Sequence, residues 1–235
     1  MKKFTKFIII LIIILTVEFI FIYINHTKNT STLKSNIKGY QPKKPIVILV
    51  DITTHTLNVF QENNLLKSYP IASGKPSTPS PIGTWSIISK GTWGEGFGGR
   101  WMGFNVPWGK YGIHGTIYPN SIGWNSSKGC IRMKNKDVAE LYKITPHGTK
   151  VIIYGGPYGN FGEYLRPIRP GMRGSDVFEV QKLLKEKSYY KGNPDGIYGE
   201  GMKSIIHKFQ KDNKISITNT INTSFYKKLG VELDD

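Results

Sequence analysis

The most apolar stretch of the chain runs from residue 7 to residue 24, FIIILIIILTVEFIFIYI, and only Thr16 and Glu18 interrupt it. As a helix it would extend about 27 Å, enough to cross a bilayer core. Lys2, Lys3 and Lys6 precede it without an acidic residue between them, which predicts a cytoplasmic start and an extracytoplasmic remainder. Residues 1–24 therefore read as a cytoplasmic start and a single N-terminal transmembrane helix, with Glu18 reaching toward headgroup water. A cleaved signal peptide shares the basic start and apolar run, but Asn25 to Lys28 offer no small-x-small cleavage site.

Beyond the apolar run the pattern changes four times. Residues 25–45 are polar and Lys-rich, with Pro42 and Pro45, and read as a flexible stalk. From Ile46, short β-branched runs (IVILVDITTHTLNVF, LLKSYPIA, GTWSIIS) alternate with Asn-Asn, Ser-Gly and Ser-Pro turn signals. They predict a mainly β, sandwich-like domain over 46–155, with a hairpin across Glu62-Asn63-Asn64. Thr92 to Gly129 is dense in glycine and tryptophan, and loops and short strands should crowd there. A short helix follows, capped by Asn135, with Val138, Leu141 and Tyr142 on one face, and Pro146-His147-Gly148 ends it before the strand VIIYG. Residues 156–165 read as a linker. Over 166–235 the period becomes helical: Val177, Val180, Gln181, Leu183 and Leu184 form one face behind a Ser175-Asp176 cap, and Ile205, Ile206 and Phe209 form another. That predicts a small all-α domain.

Lys and Arg outnumber Asp and Glu by 32 to 16. The excess is +7 over residues 1–45, +5 over 46–165 and +4 over 166–235, too evenly spread for a nucleic-acid patch. A distributed positive field suits work among anionic wall polymers and outer-leaflet lipids, and equally a solubilising role in a Lys-rich proteome. There is one cysteine, so an exported chain has no internal disulfide, and Cys130 is either a reactive thiol or a dimer bridge.

The segment YGIHGTIYPNSIGWNSSKGCIRM concentrates the chemistry. A thiol becomes a good nucleophile when a base takes its proton. His114, sixteen residues upstream of Cys130, suits that role as proton acceptor and donor, with Thr116 or nearby backbone to orient its ring. Gly129 can adopt unusual dihedrals, and the backbone N–H groups of Gly129, Cys130 and Lys128, aimed by the coming helix, are candidate oxyanion donors. On spacing alone, His114 as a satisfied structural imidazole stands beside this reading. His55, His147 and His207 have no metal-ligand spacing, so neither metal nor cofactor is expected. Trp93, Trp101, Trp108 and Trp124 fit either a glycan-stacking groove or the core.

The runs IHGT, NSIG and SKGCIRM closely resemble the L,D-transpeptidase catalytic-domain family, whose signature is a histidine, a spacer and a Ser/Thr-His-Gly-Cys turn. VDITTHTLNVF resembles its first hairpin and ASGKPSTPSPIGTW its Gly-Lys turn with a Thr-Pro-x-Gly motif. Ser80 replaces the commoner threonine, and Lys128 stands where many members have a second histidine, leaving His114 as the imidazole within motif distance. The resemblance implies a Cys130 thioester with a peptidoglycan stem peptide and a 3→3 cross-link, with carbapenems as covalent inhibitors. Ser127, Lys128 and Arg132 would then contact substrate; Arg132 equally suits a salt bridge to Asp137, and Lys128 a solvated rim. An L,D-carboxypeptidase, with water as acceptor, and a non-catalytic wall-binding protein are the competing readings.

The last segment, RPGMRGSDVFEVQKLLKEKSYYKGNPDGIYGEGMKSIIHKFQKDN, resembles a three-helix peptidoglycan-binding module, with Met202 in place of the usual threonine after the Asp-Gly-x-x-Gly loop. Such a module would raise the local concentration of wall glycan and stem peptide near the site.

Overall fold

The computed structural model describes residues 44–231 and, ahead of them, Glu18. The expected membrane helix and stalk fall on residues 1–45 and so lie, but for Glu18, Lys44 and Pro45, outside the described residues. Among the described residues no helix is long and apolar enough to cross a membrane.

Nine strands form the first unit: β1 (Ile46–Asp51), β2 (Thr56–Gln61), β3 (Asn64–Gly74), β4 (Gly83–Gly91), β5 (Trp101–Phe104), β6 (Gly112–His114), β7 (Asn125–Ser127), β8 (Ile131–Met133) and β9 (Lys150–Tyr154). Strict alternation carries the first two. Ile46, Ile48 and Val50 of β1 and Leu57 and Val59 of β2 point inward, while their neighbours are half-exposed. The sheet order is β2-β1-β9-β4-β5-β6-β8-β3-β7, and β2 also pairs with β3. The sheet thus closes on itself around one core. The sandwich expected from sequence is a single curved sheet, and the eleven-residue β3 closes it by pairing first with β2 and then, from Ile71, with β8.

Helix α1 (Asn135–Ile144) buries Val138, Leu141 and Ile144 against that core, with Tyr142 half-buried beside them. Asn135 does not cap it. The capping position is Lys134, and the Asn135 side chain turns away to another partner.

The second unit is built from α2 (Ser175–Glu186), α3 (Glu200–Asp212) and α4 (Thr223–Leu229). Val177, Val180 and Leu184 pack with Ile206 and Phe209 and with Phe225 and Tyr226 in a separate core. Met202 is buried in it, which gives the departure from threonine an apolar role. The expected Ser175-Asp176 cap is absent: Asp176 instead forms a bidentate ion pair with Arg166 and accepts the Val177 N–H. Buried Gln181 accepts the N–H groups of Asp195 and Gly196 and donates to the Ile197 carbonyl, holding the loop ahead of α3.

Candidate active site

Two short parallel strands set the site. β6 and β8 pair with Ile113 opposite Ile131 and His114 opposite Arg132, so Cys130, one residue ahead of β8, lies level with Gly112. Side chains alternate faces along a strand. Cys130, Arg132 and His114 therefore share one face, with thiol and imidazole on diagonal positions roughly 7–8 Å apart at Cα. The connection from Gly115 to Gly129 carries a 3-10 turn (Pro119–Ser121) and β7, and it returns the chain parallel.

The His114 ring donates through Nδ1 to the Gly115 carbonyl at 2.5 Å. A carbonyl only accepts, so this contact places the proton on Nδ1 and leaves the Nε2 lone pair free as a base. Of the two orienters expected, backbone takes the role. Thr116 does not: its hydroxyl accepts the Tyr118 N–H at 3.0 Å, and its own N–H goes to Asn135 Oδ1 at 2.8 Å. Aromatic rings cover the imidazole. Phe97 packs on it edgewise at 4.9 Å, Trp101 stacks at 5.8 Å, and Trp93 stacks in turn on Trp101 at 4.6 Å. That burial lowers the His114 pKa from its usual 6.5; the Gly115 bond opposes this and the Arg132 charge adds to it. The resting imidazole is accordingly neutral.

Cys130 is half-buried and free. Burial raises its thiol pKa, while the Gly112 N–H directed at the sulfur and the Arg132 charge pull it down. Both shifts favour the uncharged forms, thiol and neutral imidazole.

Gly129 is as permissive as expected but serves differently. Its φ is +110°, and a Cβ there would meet the Tyr111 ring at 2.6 Å and the Pro79 carbonyl at 3.1 Å. Its N–H is committed to Ser127 Oγ at 3.0 Å, so it is not the free oxyanion donor expected. The same hydroxyl donates to the Cys130 carbonyl at 2.6 Å. Ser127, expected to touch substrate, is buried and clamps the turn instead. Its carbonyl accepts from the Lys75 N–H and the Thr78 hydroxyl, and buried Ser80 accepts the Gly74 N–H at 2.9 Å. Any hydroxyl at position 80 serves that bond. The helix expected to aim the turn begins only at Asn135, after β8, so hydrogen bonding from Ser127 does that work.

Lys128 is exposed at the rim. Arg132 is half-buried, and among the described residues it forms no ion pair; the expected alternative bridge to Asp137 is absent. Of the tryptophans expected in a groove or in the core, Trp101 and Trp108 are buried, whereas Trp93 and Trp124 are 44% and 69% exposed. Sequence reasoning missed three contributors: the Gly112 N–H, the Asn135 tether and the Phe97 wall. Only Asn135 left a trace, as a polar residue beside the nucleophile that was read as a cap.

A thiol and a backbone-oriented imidazole thus share one face of a closed sheet that is joined to a helical module. Residues 45–153 match the L,D-transpeptidase catalytic domain, and residues 173–229 a putative peptidoglycan binding domain. The chain is 47% identical over 110 residues to the putative L,D-transpeptidase YkuD of Bacillus subtilis, a match covering 46% of this chain and 66% of that protein. With YqjB of the same organism, another putative L,D-transpeptidase, identity is 36% over 128 residues, covering 48% of this chain and 72% of the relative. The chain belongs to the L,D-transpeptidase family. It spans just under two thirds of YkuD. Among solved structures it is similar to an L,D-transpeptidase from Mycobacterium smegmatis, with a TM-score of 0.43 and 23% identity over 48% of this chain and 59% of that one. It is also similar to an L,D-transpeptidase in complex with imipenem, with a TM-score of 0.42 and 24% identity over 47% and 59%.

Proposed function

We propose that this chain cross-links peptidoglycan through a Cys130 thioester. The observation that carries the reading is the shared sheet face on which His114, with its proton held on Nδ1 by Gly115, confronts Cys130. Nε2 of His114 takes the thiol proton as sulfur attacks the carbonyl of the third residue of a tetrapeptide stem. The Gly112 N–H faces the sulfur, and the Cys130 and Lys128 N–H groups are the remaining candidates for the oxyanion. The imidazolium then gives its proton to the nitrogen of the departing D-alanine, leaving a thioester and a neutral ring. The side-chain amine of a diamino acid on a neighbouring stem attacks next and passes a proton back through His114. The thiolate leaves and is reprotonated, which gives a 3→3 link. Arg132, with no ion pair among the described residues, would receive a stem carboxylate, and exposed Lys128 would meet the anionic substrate.

A strained β-lactam carbonyl offers the same electrophile, so a carbapenem would acylate Cys130. The apolar run at residues 7–24 would hold the enzyme at the membrane with its catalytic part outside, among the stems and glycan it acts on, and the terminal module would bind the same wall. Incubation with tetrapeptide-stem fragments, followed by mass spectrometry, tests the reaction. Dimers that have lost one D-alanine and carry a 3→3 link are expected. Tripeptides alone would mean a carboxypeptidase, and unaltered fragments would refute the reading.

A further inference from the structure

A tethered binding module needs no contact with the catalytic core, yet here the two are packed. Phe178 of α2 lies 5.8 Å from Trp85 and 5.5 Å from Trp108, and together with Ile197 it joins the catalytic core rather than its own. Gly196 sits so close on the Trp108 ring that a Cβ would come within 2.2 Å of it. Trp108 is 4% exposed and makes an edge contact with Trp85 at 5.3 Å. Trp108 also neighbours Tyr111 at 6.4 Å, toward whose hydroxyl its indole N–H is directed, and the Arg173 charge of the module reaches that phenol too. Tyr111 in turn packs on Gly129 beside the nucleophile and immediately precedes Gly112, whose N–H faces the sulfur.

We propose that the terminal module is a positioning part of the catalytic site: by holding Trp108 it fixes Tyr111, and Tyr111 sets the Gly129–Cys130 turn and the Gly112 amide. Tyr111 and Phe178 are positioning residues. The inference rests on the Cys130 thioester reading above, and it predicts coupling that a small substrate with no glycan for the module to bind would still feel.

The test is Cys130 acylation by imipenem in the full chain, followed by intact-protein mass spectrometry. The maximal rate constant is separated from the half-saturating concentration. Phe178→Lys, which removes no side chain from the module's own core, should lower the maximal rate roughly tenfold to a hundredfold, as a small misplacement of reacting groups does. The half-saturating concentration should hold, helical content should be kept, and small-angle scattering should show the two units opened. Gly196→Ala attacks the same contact from the loop and should act alike. Tyr111→Phe keeps the ring on Gly129 but removes the hydroxyl that faces Trp108, and its rate should fall between wild type and Phe178→Lys; Tyr111→Ala should be as slow as Phe178→Lys, and the Tyr111→Ala/Phe178→Lys double variant no slower than either. Opened variants that acylate at the wild-type rate would overturn the coupling while leaving the thioester reading intact. A wild-type chain that takes up no adduct would overturn both.

Discussion

At the scale of the residue, the proposed chemistry rests on two groups whose surroundings push their pKa values apart. Burial raises the Cys130 thiol and lowers His114, so both are neutral at rest. In the proposed reaction the active form of His114 is the unprotonated one. A lowered pKa keeps that form available to lower pH, so the acid limb of the acylation rate should fall below 6.5. A limb above 6.5 would indicate a resting ion pair, and following the His114 ring by NMR alongside the rate separates the two. His114→Ala should lose at least a hundredfold, on the order of a general base. Variants His55→Ala, His147→Ala and His207→Ala should keep most turnover, since His55 and His207 bond to Asn125 and Asn219, outside the pair. A comparable loss at His147 would point to another base. Cys130 and His114 were both legible in the sequence, because a lone thiol and a histidine at motif distance are marked by residue type. The partners of Gly129 and Ser127 were not, because backbone donors and a shared hydroxyl are defined by geometry that composition does not carry.

At the scale of the element, the site depends on how β6, β8 and α1 are tied. Asn135 Oδ1 accepts the Thr116 N–H, and the Gly115 N–H bonds the Phe97 carbonyl, so the residues after His114 are held from both sides. Asn135→Ala leaves the Thr116 donor without its partner and should cost about 1 kcal/mol in denaturant unfolding. It should also slow acylation, because the Gly115 carbonyl that orients the imidazole belongs to the same turn. Unchanged rates with reduced stability would confine Asn135 to a structural role. Alternating and helical patterns made β1, β2, α2 and α3 readable, since each buries one face. The three-residue strands β6, β7 and β8 are too short for a pattern, and closure of the sheet through β2 and β3 is a long-range pairing that no local signal marks.

At the scale of the whole molecule, the two units were separable in the sequence by their periods, but the packing of Phe178 on Trp85 and Trp108 was not, since a half-buried aromatic on a helix has no signature for its partner. Removing residues 166–235 should weaken sedimentation with purified sacculi. It should also lower the melting temperature of the catalytic unit, because Trp85 and Trp108 lose their apolar cover. A truncated chain that pellets with sacculi as the full chain does would remove the wall-binding role. The most direct test of the proposed acyl transfer through Cys130 is intact-protein mass spectrometry of the chain with a carbapenem. One adduct of the lactam's mass is expected, mapped to Cys130, absent in Cys130→Ala and greatly slowed in His114→Ala. An adduct that persists without Cys130, or one that forms as fast without His114, would contradict it.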